Sequence, residues 1–192
     1  MRRSILLTTL LVVPLAAIAQ ESFEITTSPR VRVVTTEGDF VIELDRTRAP
    51  LTVEAFLRHV TEGFYADTVF HRIVAGFVAQ GGGYTPDLEL KPAEGTLFNE
   101  SGNGLSNLRG TVGIARSNEP HSGTTQFYIN LRDNLDLNPR PTRWGYAVFG
   151  KVVEGIEIVD NFGYVPTGAG GEFSSNVPVT PIVIERMVLL TD

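Results

Sequence analysis

The chain has 192 residues, a formal net charge of −6 at pH 7, 42% apolar residues and 20% charged ones. That length supports one domain with a real core, and the acidic surplus argues against a nucleic-acid partner, which would want clustered Lys and Arg. The absence of cysteine excludes thiol catalysis, disulfide exchange and cysteine-based metal sites.

The first element is a leader rather than part of the fold. "MRR" is a positive n-region, "SILLTTLLVVPLA" an apolar h-region, and Ala17-Ile18-Ala19 a small-x-small cleavage pattern. The apolar run is too short, and too interrupted by Thr and Pro14, for a membrane span. No Cys follows it, which argues against a lipid anchor. Residues 1–19 therefore read as a cleaved secretory signal, with the periplasm as destination and no membrane span after cleavage. An exported protein without disulfides must be held together by its core alone. Residues 20–29 form a short polar segment, and one domain spans 30–192.

That domain opens with "RVRVVTTEGDFVIELD", whose apolar alternation on both sides of a turn predicts a β-hairpin bent near Gly38. "RAPLTVEAFLRHVTEGFY" predicts a helix. Pro50 suits the first turn, Val53, Phe56, Leu57 and Val60 recur at helical spacing, and Gly63 marks the stop. Strand candidates follow in "TVFHRIV", "FVAQ", "GTVGIAR", "QFYINL" and "YAVFGKVV". "EGIEIVDNF" predicts a second short helix and "PIVIERMVLL" a closing strand. Many short strands with two helices imply a mainly all-β fold, an antiparallel sheet closed into a barrel with helices over its ends.

Motif chemistry is sparse. No H-E-x-x-H, P-loop or dinucleotide fingerprint occurs, and scattered Ser122, His121 and Asp133 lack a nucleophile elbow. "FHRIVAGFVAQGG" is more informative. Arg72, Val78 and Gln80 share strand parity, and the small Ala75 and Gly76 allow a kink that turns Phe77 toward the same side. The result is an apolar floor edged by one guanidinium and one amide. "QFYINL" adds Gln126, Phe127 and Tyr128. An apolar pocket with a few fixed donors is the profile of a peptide groove. His71 reads as a structural histidine and His121 as a solvated loop residue.

Four segments, "GFYADTVFHRIVAGFVAQGG", "GTVGIARS", "SGTTQFYIN" and "GYAVFGKVVEG", resemble in order and spacing the signature segments of the cyclophilins, the cyclophilin-type peptidyl-prolyl cis–trans isomerases. The resemblance runs from about Arg30 to Leu190 and, with the leader, points to the periplasmic bacterial branch. It implies a closed eight-stranded antiparallel β-barrel capped by two α-helices. It implies that Arg72 is the catalytic arginine and that Phe77, Val78, Tyr128 and Leu137 form the proline pocket. By the same resemblance Gln80 supports Arg72 and the peptide, Ala115 and Arg116 line the edge that meets the substrate backbone, and Gln126 sits beside them. Tyr146 stands where many relatives place a rim histidine. Val78 replaces the pocket methionine, Tyr128 the second phenylalanine of its strand, and Asp136 the tryptophan that relatives use to bind cyclosporin. Weak cyclosporin binding is therefore expected; Trp144, eight residues on, is not its counterpart.

The reaction implied needs no metal or cofactor. Its partners are proline-containing segments of exported proteins that are still folding, met by a monomer. A non-catalytic proline-peptide-binding module, or a holdase chaperone, is the other function class that keeps such a groove, and the retained Arg72 favours the enzyme.

Overall fold

In the computed structural model, residues 26–191 are described; the leader expected at 1–19 lies outside them. The first hairpin forms as its alternation predicts. Strand β1 (Arg30–Thr35) buries Val31 and Val33 and exposes Arg32, and it pairs antiparallel with β2 (Gly38–Leu44), setting Val33 opposite Phe40. Helix α1 (Pro50–Thr61) buries Val53, Phe56, Leu57 and Val60, with Pro50 in its first turn. Ala49 offers no side chain to its free amides. The Glu100 carboxylate does so from a distant loop, accepting from the amides of Leu51 (3.1 Å) and Thr52 (2.8 Å) and from the Thr52 hydroxyl (2.7 Å). A negative group there also complements the helix dipole.

The other strands of the main sheet are β3 (Thr68–Val69), β4 (Arg72–Val74), β5 (Val78–Gly81), β6 (Thr111–Ile114), β7 (Phe127–Asn130), β8 (Val148–Glu154) and β11 (Val183–Leu190). They form one nine-stranded sheet in the order β3-β11-β1-β2-β8-β6-β7-β5-β4. Its first and last members are separated in the chain only by Phe70 and His71. Residues 68–74 thus stand at both ends of the order, β3 pairing with β11 and β4 with β5. Counted as one interrupted strand, they make eight around a curled barrel, close to the closed architecture expected.

Aromatic side chains fill the interior. Phe56 of α1 packs against Phe127 and Phe149, with ring centroids 5.8 and 5.1 Å away. Phe162 of the second helix, α2 (Ile156–Phe162), meets Phe70 at 5.0 Å and Phe40 at 6.3 Å. A two-stranded ribbon, β9 (Thr167–Gly170) with β10 (Phe173–Pro178), was not foreseen. "TGAG" and "FSSNVP" lack the apolar alternation that signals strands. No helix among the described residues is long and apolar enough to cross a membrane.

Candidate active site

The stretch from Phe70 to Gly82 is not one kinked strand. Gly76, at φ +63°, lets the chain reverse fully between β4 and β5, and the Phe77 amide closes the turn on the Val74 carbonyl (2.9 Å). The reversal sets Arg72 directly opposite Gln80. Gln80 in turn faces Tyr128 on β7, and Tyr128 faces Gly113 on β6. Cross-strand partners share a face, so Arg72, Gln80, Tyr128 and Gly113 form one row across four strands. Val74, Val78 and Asn130 form the next row.

Over these rows lies a cavity of about 210 Å³ lined by Arg72, Phe77, Val78, Gln80, Ala115, Arg116, Tyr128, Leu137 and Tyr146. Of the expected site residues only Gln126 is off the wall. It accepts a hydrogen bond from Gln80 Nε2 (2.9 Å), while Gln80 Oε1 accepts from Arg72 Nη1 (3.2 Å). Cavities of about 280 and 360 Å³ lie elsewhere, so size does not single this one out. What distinguishes it is that two guanidinium groups and one amide share the wall with the apolar Phe77, Val78 and Leu137.

The two arginines of the wall differ. Arg72 is half-buried and, among the described residues, has no ion pair; its support is the neutral Gln80. Arg116 is spent on structure. It donates to the carbonyls of Gly145 (3.1 Å), Ser117 (2.8 Å) and Trp144 (2.9 Å), and its guanidinium lies 4.4 Å from the Tyr146 ring centre. Asp136, where the resemblance expects a tryptophan, is exposed and ion-paired with Arg140.

Behind the floor is a polar layer that sequence reasoning missed. Tyr128, only 4% exposed, donates its hydroxyl to Asn107 Oδ1 (2.6 Å), and Asn107 is 0% exposed. Burial pushes the Tyr128 pKa well above its ordinary value, so the hydroxyl stays a neutral donor. Asn107 Nδ2 donates to Asn138 Oδ1 (3.0 Å), and Asn130 Nδ2 donates to Asn107 Oδ1 (3.2 Å). Asn134 Nδ2 donates to Asn130 Oδ1 and to the Phe77 carbonyl, both at 2.8 Å. The pocket residues Tyr128 and Phe77 are thereby fastened to one buried asparagine chain. Asn107 sits in "SGNGLSNLRG", which by composition is only a loop. His71, at 2% exposure, faces away from this chemistry, packed at a tilt against Tyr84 and Phe173 with ring centroids 4.5 and 5.5 Å away. His121 is exposed but not merely solvated, since its Nδ1 accepts the Asn99 amide (3.0 Å).

Comparison with known proteins agrees with this geometry. Residues 30–188 match the family model described as cyclophilin type peptidyl-prolyl cis-trans isomerase/CLD. The chain is 47% identical to peptidyl-prolyl cis-trans isomerase cyp18 of Streptomyces antibioticus over 83% of its own length and 98% of that protein's. It is 43% identical to peptidyl-prolyl cis-trans isomerase A of Dickeya dadantii, covering 88% of each. A cyclophilin-type isomerase of Cryptosporidium parvum, crystallised in the presence of the dipeptide Ala-Pro, superposes with a TM-score of 0.72 at 27% identity, over 85% of this chain and 99% of that one. Fold, length and sequence converge, and the chain belongs to the cyclophilin-type peptidyl-prolyl cis–trans isomerases.

Proposed function

We propose that this isomerase accelerates X-Pro isomerisation in exported proteins as they fold, with Arg72 donating a hydrogen bond to the prolyl nitrogen. The observation that carries this reading is the state of Arg72. It stands on the cavity wall beside Phe77, Val78 and Leu137, positioned by a neutral amide that leaves its charge uncompensated.

Twisting an X-Pro bond means losing amide resonance, against a barrier of about 20 kcal/mol. As the bond twists, the prolyl nitrogen becomes pyramidal and its lone pair, delocalised into the carbonyl in the planar ground state, localises on nitrogen. A guanidinium donating there binds the transition state better than the substrate. Such a charge-assisted bond contributes about 1.5–3 kcal/mol, or roughly tenfold to a hundredfold in rate. Phe77, Val78, Tyr128 and Leu137 hold the ring while the acyl side turns, with Tyr146 at the rim. Ala115 and Arg116 supply the edge for the peptide backbone, with Gln126 behind them holding Gln80. Arg72 suits the task because guanidinium stays charged at any physiological pH. No bond breaks, so no nucleophile is needed.

In an isomerisation assay on a short X-Pro peptide, Arg72→Ala should lose roughly tenfold to a hundredfold in kcat/KM. Wild type no faster than uncatalysed exchange would sink the catalytic reading and leave the peptide-binding module. A variant as fast as wild type would sink the role of Arg72. Cyclosporin should inhibit weakly, because Asp136 offers a carboxylate where relatives offer an indole. Export by the leader predicts a mature N-terminus at Gln20, read by N-terminal sequencing of the periplasmic fraction; protein that keeps Met1 contradicts it.

A further inference from the structure

Beside the proline cavity, three aromatic rings from three loops meet at the surface. Phe98 is 56% exposed and Trp144 43% exposed. The His121 ring is stacked on Phe98, with centroids 4.7 Å apart and planes 13° apart, and meets Trp144 edge-on at 5.1 Å. Single exposed aromatics are ordinary, but a contiguous cluster is not.

The cluster is also held in place. Asn99, itself buried, donates its amide to His121 Nδ1 (3.0 Å) and its Nδ2 to the carbonyls of Pro120 and Gly145 (both 3.0 Å). Its Oδ1 accepts from the Ser101 amide (2.8 Å). One side chain thus pins the loops bearing all three rings, and the bond to His121 Nδ1 leaves the proton of the neutral ring on Nε2. None of the rings belongs to the barrel's hydrophobic core. The fold orders an aromatic surface that its own interior does not use.

The surface is continuous with the peptide groove. Arg116, a wall of the cavity, donates to the Trp144 carbonyl and lies over the ring of Tyr146, another wall residue. Trp144 and Tyr146 are two residues apart, at most about 7 Å of chain. At about 3.3 Å per extended residue, the span from a proline seated in the cavity to these rings is within reach of a residue roughly two positions away.

We propose that Phe98, His121 and Trp144 form a specificity shelf that receives an aromatic or long aliphatic side chain about two positions from the substrate proline. This rests on the isomerase reading and adds the substrate class to it. Preformed rings bind such a side chain with little ordering cost.

Trp144 is the only tryptophan of the chain, so its fluorescence reports from the shelf itself. The test uses the full chain and X-Pro peptides with alanine flanks, compared with peptides carrying Phe two positions before or after the proline. Wild type should favour one of the Phe peptides by roughly fivefold or more in kcat/KM, and that peptide should shift the Trp144 emission saturably. In Trp144→Ala and, separately, Phe98→Ala, the ratio between Phe and alanine peptides should fall toward one. A wild-type ratio near one for both Phe peptides, a ratio retained in both variants, or an unresponsive emission overturns the shelf. Emission that responds while neither peptide is turned over supports the shelf and refutes the isomerase reading, so the two failures are distinguishable.

Discussion

Tyr128 shows how a single polar atom is fitted into an apolar pocket. Its ring needs space on the β6 side, and Gly113 provides it, because a Cβ there would overlap the Tyr128 ring and hydroxyl. Its hydroxyl needs a partner once buried, and Asn107 is that partner. The backbone at Gly113 is not in the left-handed region, so Gly113→Ala tests sterics alone. The added methyl must push the ring toward the cavity or off Asn107. Overpacking of this kind costs about 1–3 kcal/mol. Gly113→Ala should therefore lower the urea midpoint by that equivalent and reduce kcat/KM, since the displaced ring is the pocket floor. Tyr128→Phe should be milder, about 1 kcal/mol, because Asn107 Oδ1 keeps its donor from Asn130. Wild-type stability in Gly113→Ala would show that the row is not tightly packed.

Elements with a local signal were legible in the sequence, and those created by distant contacts were not. The first hairpin and α1 follow from periodicities within a dozen residues, and both formed where expected. The "FHRIVAGFVAQ" stretch was half legible. Its parity put Arg72 and Gln80 on one side, but the turn at Gly76 makes them opposite partners rather than positions along one strand. The candidate site residues came from shared motifs, and nine of them line one cavity. The layer behind it was invisible, because an asparagine in a polar loop looks the same whether it is solvated or 0% exposed like Asn107. Glu100 is a similar case. It caps α1 across nearly fifty residues, and no sequence window spans that distance. The β9–β10 ribbon is held by packing on β4 and the Tyr84 side rather than by any strand pattern of its own.

At the scale of the whole molecule the barrel closes through the break between β3 and β4, and His71 occupies that break. Tyr84, whose hydroxyl donates to Glu172 (2.8 Å), and Phe173 of β10 cover it. Burial, opposed in part by a backbone hydrogen bond at Val69 and reinforced by the Arg72 charge, holds the His71 imidazole down at about 4 from its ordinary 6.5. Above pH 6.5 the ring is neutral in the folded and unfolded chains alike, and its contribution is fully present. Between 6.5 and 4 the unfolded chain takes up a proton that the folded chain refuses, so stability falls as pH falls. Below about 4 the folded chain is protonated too and the loss levels off. Integrated over that window, the linkage is about 3 kcal/mol. His59 acts in the same direction, lowered by burial and by Arg58 with Glu62 opposing. Urea unfolding of wild type should lose stability from pH 7 to 4.5 more steeply than that of His71→Phe, which keeps an aromatic ring against Tyr84 and Phe173 and has nothing to protonate. Equal slopes would remove His71 from the acid response. Because Arg72 is the next residue and begins β4, opening this break displaces it from Gln80. Isomerase activity should therefore fade along the same acid transition as the fold, with no separate titration of its own.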